Sequence, residues 1–346
     1  MMMKFVQDTP SQRVVFGSGS LAQLAEEVAR LGLSRVLVVA TPGHGARLAA
    51  LASDLLGSSC AGVHAQAVVH VPRAVAEAGI AEAARAGADG VVAMGGGAAI
   101  GLAKAIAIAS NLPIVAVPTT YSGSEASPIA GTTDGERKIT VRDPKALPKT
   151  IIYDPDLTLG LPPAVSAASG LNAIAHAVEG LWIAERTPIS CAMATEAMRL
   201  FADALPKVVA DGNDRDARAA CLSASWLCGI VLTSGTALHH KLAHVLGGLG
   251  MPHAETHSII LPHVTRFNLD AAPDAHERLC DTLETNDPAH ALGVMLSLFP
   301  IPQALREVGL PRDKIGFVAA EAAKLNIAAP RSASEAEIRG ILEAAY

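Results

Sequence analysis

The chain has 346 residues, a mass of 35.4 kDa and a net charge of −6, with half of its residues hydrophobic and no block of Lys or Arg. That length can bury a large core and suffices for two domains; the acidic balance excludes an extended nucleic-acid or anionic-membrane surface and leaves room for a local cationic pocket. Cys60, Cys191, Cys221, Cys228 and Cys280 are scattered and form no CxxC pair, which points to a reducing cytoplasm.

The opening MMMKFVQDTPSQR has a lone Lys and no apolar core, so no signal peptide is expected. Short β-branched runs then alternate with Ala/Leu-rich ones. Strands are expected at 13–16, 35–40, 63–70, 90–94 and 114–117, and helices at 20–31, 45–56, 74–86 and 100–109. Alternation at these lengths predicts a parallel sheet covered on both faces. The apolar run 91–118 contains only Lys104, Ser110 and Asn111 as polar residues, yet GGG and Pro113 break it into strand, helix and strand, and a central Lys would be costly in lipid. It reads as a buried α/β unit, and no membrane span is expected. The polar segment 131–148, with its KITV alternation, reads as a hairpin leading to a last strand at 150–153. After LGLPP (159–163) strand signals nearly vanish and Ala/Leu/His-rich helical segments run to the C-terminus, so a boundary is placed near 160.

Two motifs in the first half carry chemistry. In VVAMGGGAAIGLAKAIA (91–107) a strand ends in Gly95, Gly96 and Gly97 and a helix starts at once. Backbone N–H groups and the positive end of the helix dipole there suit a pyrophosphate, although the pattern is neither GxGxxG nor a Walker loop. A tight turn needing glycine is the plainer alternative. In VPTTYSGSEASP (117–128), Thr119, Thr120, Ser122 and Ser124 follow the next strand, where open α/β sheets collect ligands, although Ser, Thr and Gly are also ordinary loop residues.

The second half is informative through its histidines. Asn172 and His176 are four apart in GLNAIAHAVE; His239, His240, Lys241 and His244 lie in LHHKLAHVLGG, and His253 and His257 in MPHAETH. A lone His is more often packed or solvated than functional. Several beside a Lys in apolar sequence favour a site.

The blocks GGGAAIGLAKAIA, PTTYSGSEASPI, IIYDPDLTLGLPPAVSAASGLNAIAHAVEGLW and HHKLAHVLGGLGMPHAETHSIILPHVTRFN resemble, in order and over nearly the full chain, the iron-containing (group III) alcohol dehydrogenases, and within them most closely the maleylacetate reductases. The resemblance implies a dehydroquinate synthase-like fold. Its parts would be an N-terminal α/β dinucleotide-binding domain with a Rossmann-like parallel sheet, residues 1–160, and an all-helical catalytic domain, residues 161–346, with the active site in the cleft between them. It further implies a homodimer and NAD(P)H as cofactor, held by Gly95, Gly96, Gly97, Thr119 and Thr120, with Ser122 in the same loop. The family's metal positions are one Asp and three His; here His176, His240 and His253 match the histidines, and Asn172 stands at the Asp position.

That departure bears on the reaction. A divalent ion gains from an anionic ligand, and three imidazoles with an amide leave its charge uncompensated, so no obligatory metal is expected and Asn172, His176, His240 and His253 form a degenerate site. Alcohol oxidation needs a metal to acidify the hydroxyl, whereas reducing a double bond conjugated to a ketone needs a hydride, a proton donor and hydrogen bonds to the enolate. The resemblance therefore implies reduction of the 2-ene bond of 2-maleylacetate, a dicarboxylate, to 3-oxoadipate in degradation of aromatic compounds. His176, His240 and His253 would surround the substrate, Lys241 and His244 would supply charge and hydrogen bonds, and Arg142 or Lys138 would meet a carboxylate. The alternatives are a metal-dependent alcohol dehydrogenase and a nucleotide-binding protein without activity. After the strand RVLVVA, Ala40-Thr41-Pro42 has no acid for a ribose 2′-OH, so Thr41 leaves both NADH and NADPH open, with NADH slightly preferred.

Overall fold

The computed structural model describes residues 5–7, 11–135, 137–325, 327 and 330–346; the side chains of Arg137 and Lys138 fall outside that description. The chain divides into two compact units, one spanning Thr9–Leu161 and the other Pro162–Tyr346 together with the N-terminal segment. In that segment Gln7 accepts a hydrogen bond from the Thr187 hydroxyl at 2.7 Å, which ties it to the helical unit.

In the first unit, strands β1 (Arg13–Phe16), β2 (Val36–Val39), β3 (Cys60–His64), β4 (Gly90–Gly95), β5 (Ile114–Pro118) and β8 (Thr150–Tyr153) form a six-stranded parallel sheet in the order β1-β8-β5-β4-β2-β3 among the described residues. The four central strands are buried along their whole length, as continuous apolar runs such as VLVV and IVAVP require when helices cover both faces. Val36, Val38, Val92, Met94, Val115, Val117 and Ile152 pack into one core with Leu24, Val28, Ala49 and Ala52 of the helices α1 (Leu24–Arg30) and α2 (His44–Leu56). Helices α3 (Arg73–Arg85) and α4 (Gly97–Ser110) complete this unit with the antiparallel hairpin β6 (Ile129–Asp134) and β7 (Arg137–Arg142). The connection β2-α2-β3 runs toward one edge and β4-α4-β5 toward the other. The carboxyl ends of adjacent β2 and β4 therefore flank the point where the winding reverses, and open sheets bind ligands in that crevice.

One strand departs from expectation. The β-branched Val63, Val68 and Val69 predict a strand over 63–70, but β3 occupies Cys60–His64. Beyond it the Ala67 N–H donates to the Ala40 carbonyl at 2.9 Å, closing the chain against the end of β2, and Val68 and Val69 stand exposed in a turn. His70 and Val71 then take positive φ, 65° and 44°, a strained conformation for a β-branched residue. Hydrogen bonds from the Thr133 N–H to the Val71 carbonyl and from the Thr133 hydroxyl to the His70 carbonyl hold the turn onto β6.

The second unit is helical: α5 (Pro163–Gly180), α6 (Pro188–Ala210), α7 (Arg215–Leu232), α8 (Leu238–Gly248), α9 (His253–Asn268), α10 (Pro273–Leu283), α11 (Pro288–Ser297), α12 (Ile315–Ala323) and α13 (Glu335–Ala344). Pro at the first position starts α5, and a capping box between Thr187 and Ser190 starts α6. α5 is the axis of the unit. It is buried without a break from Ser166 to Gly180 and packs against α6, α7 and α9. Small side chains permit that enclosure: at Gly180 an added Cβ would lie 2.1 Å from Val231. Among the described residues no helix is long and apolar enough to cross a membrane.

Candidate active site

In the sheet unit the site is built from backbone. β4 ends at Gly95, whose φ of 142° suits glycine, and Gly96 precedes α4 without any side-chain cap. The first-turn N–H groups of α4 thus keep their capacity for an anion, and the helix dipole adds to it. Gly96 is small for the protein's own sake, since a Cβ there would meet Thr120 Cγ2 at 2.7 Å. Gly97 is different. A Cβ there would find nothing nearer than Ser122 Oγ at 4.0 Å, so its bareness leaves a cradle for a ligand.

The loop after β5 lies against this turn. The Thr119 N–H donates to the Gly95 carbonyl at 3.2 Å, Thr119 is buried, Thr120 is partly buried, and Ser122 Oγ lies 3.3 Å from Ser124 Oγ. Thr41 follows β2, with its hydroxyl over Gly45, where a Cβ would sit 2.3 Å from Oγ1. By strand order, Thr41 and the three glycines flank the same reversal point at the ends of β2 and β4.

A residue that sequence reading did not place in the site organises this loop. The Lys104 ammonium, buried on α4, donates to the carbonyls of Ser124 at 2.6 Å, Ser127 at 2.8 Å and Ile129 at 2.7 Å. Burial lowers its pKa to about 7, against the pull of Glu125. Glu125, itself buried, accepts from the Tyr153 hydroxyl at 2.7 Å, and burial raises its pKa.

In the helical unit the site is built from side chains. Asn172 and His176 are buried one turn apart on α5; His239, His240, Lys241 and His244 come from the start of α8, and His253 and His257 from the first turns of α9. The His176 ring stacks on His240 at 4.8 Å, and His257 meets His240 edge-on at 4.8 Å and His253 at 4.5 Å. His244 stands edge-on to His240 at 6.5 Å. Lys241 and His244 are partly exposed, whereas Arg142 is exposed on β7 of the other unit and the Lys138 side chain lies outside the described residues.

One further residue, Glu179, completes the cluster. His239 Nε2 lies 2.9 Å from His257 Nδ1, and buried Glu179, next to His176 on the inner side of α5, reaches His240 Nδ1 at 2.5 Å. The spacing of Asn172, His176 and Glu179, four and then three residues apart on one helix face, is the signal that would have found Glu179. Burial and neighbouring imidazoles hold His176 and His257 well below the ordinary histidine pKa, and the same causes lower His239 to about 3.

This donor set lacks the anionic oxygen that would offset the charge of a divalent metal. Asn172 offers a neutral amide oxygen, and the nearby carboxylate of Glu179 is occupied with α8. Among the described residues no group of three or more His, Cys, Asp or Glu side chains is arranged to hold an ion.

Residues 10–155 match the iron-containing alcohol dehydrogenase family, and residues 166–346 match the C-terminal region of the Fe-containing alcohol dehydrogenase family. A maleylacetate reductase of Sphingobium indicum is 44% identical over 345 residues, covering 99% of this chain and 97% of its own. The crystal structure of a maleylacetate reductase from Agrobacterium tumefaciens superposes with a TM-score of 0.94 at 41% identity, covering 100% of this chain and 99% of its own. That of an iron-containing alcohol dehydrogenase from Corynebacterium glutamicum superposes with a TM-score of 0.93 at 38% identity, covering 100% and 97%. With a glycine turn at the sheet's reversal point, a histidine-lined helical unit and these full-length matches, the chain belongs to the iron-containing alcohol dehydrogenase family.

Proposed function

We infer that this chain acts as a maleylacetate reductase, an NAD(P)H-dependent oxidoreductase that reduces the 2-ene bond of 2-maleylacetate to give 3-oxoadipate. The observation that carries the reading is Asn172, a neutral amide among histidines held uncharged by burial, in a chain that aligns end to end with maleylacetate reductases. Such a set is poor at acidifying an alcohol and suited to an activated double bond.

A reduced nicotinamide, when bound, would supply a hydride to the β-carbon, with the bond's electron pair moving toward the ketone oxygen. Charge growing on that oxygen is met by hydrogen-bond donors fixed beforehand. In this reading His176, His240 and His253 enclose the reacting carbons, Lys241 and His244 receive the oxygen and a carboxylate, and a proton then reaches the α-carbon to complete the product. The first-turn N–H groups of α4 at Gly97 would hold the pyrophosphate, and Thr119, Thr120, Ser122 and Thr41 would contribute to the same cofactor site. Because Thr41 neither repels nor grips a 2′-phosphate, both cofactors serve, NADH slightly better.

The assay that tests this is oxidation of NADH with freshly generated maleylacetate before and after treatment with chelator. Equal rates are expected. Dependence on added iron or zinc would remove the metal-free part, and turnover of simple alcohols alone would replace the reading by alcohol dehydrogenation. A homodimer and a cytoplasmic location belong to the same reading, the latter supported by five cysteines that all remain thiols. Light scattering at assay concentration checks the dimer.

A further inference from the structure

Helix α8 begins without a cap of its own. Its N-cap residue is Ala237, which has no side-chain acceptor, so the first N–H groups of the helix must be met from elsewhere. Glu179 meets them across the bundle from α5. Its Oε1 accepts the His239 N–H at 2.7 Å, while its Oε2 lies 2.5 Å from His240 Nδ1. The carboxyl is 1% exposed and sits at the positive end of the α8 dipole, where an anion is favoured. Burial raises its pKa, and the His239 ring and the N–H groups of Ala237, His239 and His240 act against that rise.

A carboxylate can only accept, so the group facing it at His240 must donate. We propose that Glu179 is a positioning residue: seated on the first turn of α8, it holds the His240 proton on Nδ1 and fixes the ring, so that Nε2 is the nitrogen offered to the substrate. The same residue thus sets the angle of the helix that carries the histidines and the tautomer of one of them. The contact between His239 and His257 links α8 to α9 beside that ring. This rests on the reductase reading only in placing substrate beside His240; the tautomer stands apart from it.

The discriminating variant is Glu179→Gln. It keeps the shape and one carbonyl oxygen, which the His239 N–H claims, and so turns an NH₂ donor toward His240 Nδ1. That inverts the tautomer without opening a cavity.

The experiment is ¹⁵N NMR of histidine-labelled protein at neutral pH, with His240 identified by its loss in His240→Ala, together with steady-state kinetics. Expected are an Nδ1–H ring in the wild type, an Nε2–H ring in Glu179→Gln, a kcat lower by about 100-fold or more, and an unchanged KM for NADH. Glu179→Asp, still an acceptor, should return the Nδ1–H signature and part of kcat. An Nε2–H ring in the wild type overturns the proposal. So does a Glu179→Gln protein with wild-type kcat. If Glu179→Gln does not fold, the wild-type spectrum and Glu179→Asp decide. A wild-type protein that shows the Nδ1–H ring but leaves maleylacetate unreduced breaks the functional reading and supports the tautomer.

Discussion

The two units build their sites from different materials. At the ends of β2 and β4 the proposed binding surface is main chain, bare because glycines carry nothing over it and because α4 starts uncapped. On α5, α8 and α9 it is a packed group of imidazoles, with one carboxylate and one amide, in which nearly every ring leans on another. The first kind of site tolerates changes in charge state and is destroyed by volume. The second tolerates little change in charge and depends on which nitrogen holds each proton.

Acid should separate the two most widely. His176, His239 and His257 have folded pKa values below that of an unfolded imidazole. Their unfolded forms bind more protons below about pH 6.5, so their stability contribution is complete above that pH and is lost as pH falls below it. With a folded value of about 3, His239 alone costs about 2 kcal/mol between pH 6.5 and 5, and the other two add in the same direction. Glu179 and Glu125, raised by burial, oppose the loss, and Lys104 at about 7 has already given up its share above this window. The helical unit should therefore loosen first. Hydrogen exchange on α8 and α9 against β4 and β5 at pH 5 and 7 reads this directly, and equal protection would erase the contrast.

Kinetics should divide the same way. His240→Ala is expected to lower kcat by about 10²–10⁴ with the KM for NADH unchanged. A rise in that KM with intact kcat would move His240 to cofactor binding. Gly97→Glu should do the reverse, raising the KM for NADH by about 100-fold, or about 2.7 kcal/mol, while the melting temperature barely moves, because the protein itself leaves room at that position. A folding defect in Gly97→Glu would make the glycine structural.

Asn172→Asp gives the smallest change in stability and sharpens the contrast from the chemical side. An anionic ligand added to the histidines should raise zinc affinity by at least the ~10–100-fold that outer-sphere partners alone contribute. Metal content after dialysis against zinc checks it, and ene reduction should fall as metal loads.

The glycine turn behind the proposed backbone site could be read from sequence because glycines between a strand and a helix announce themselves. The sheet was legible for the same reason, as its central strands are unbroken apolar runs. The edge was not: β3 is CAGVH, and the β-branched pair Val68 and Val69 beside it is a turn, held by hydrogen bonds to Ala40 and Thr133 that no local pattern encodes. In the helical unit the histidines drew notice by their number. Glu179 did not, because an acid near the end of a helix usually faces water, and only the packing of α5 at the centre of its unit turns that residue inward.

Lys104 bears on how a nucleotide would arrive. The carbonyls of Ser124 and Ser127 in the loop after β5 and of Ile129 at the start of β6 are already gathered on one ammonium, so the stretch that follows Thr119 to Ser122 is held in shape from beneath. A ligand then has little chain to freeze, and the conformational entropy usually surrendered when a loop folds over a cofactor has been spent during folding instead.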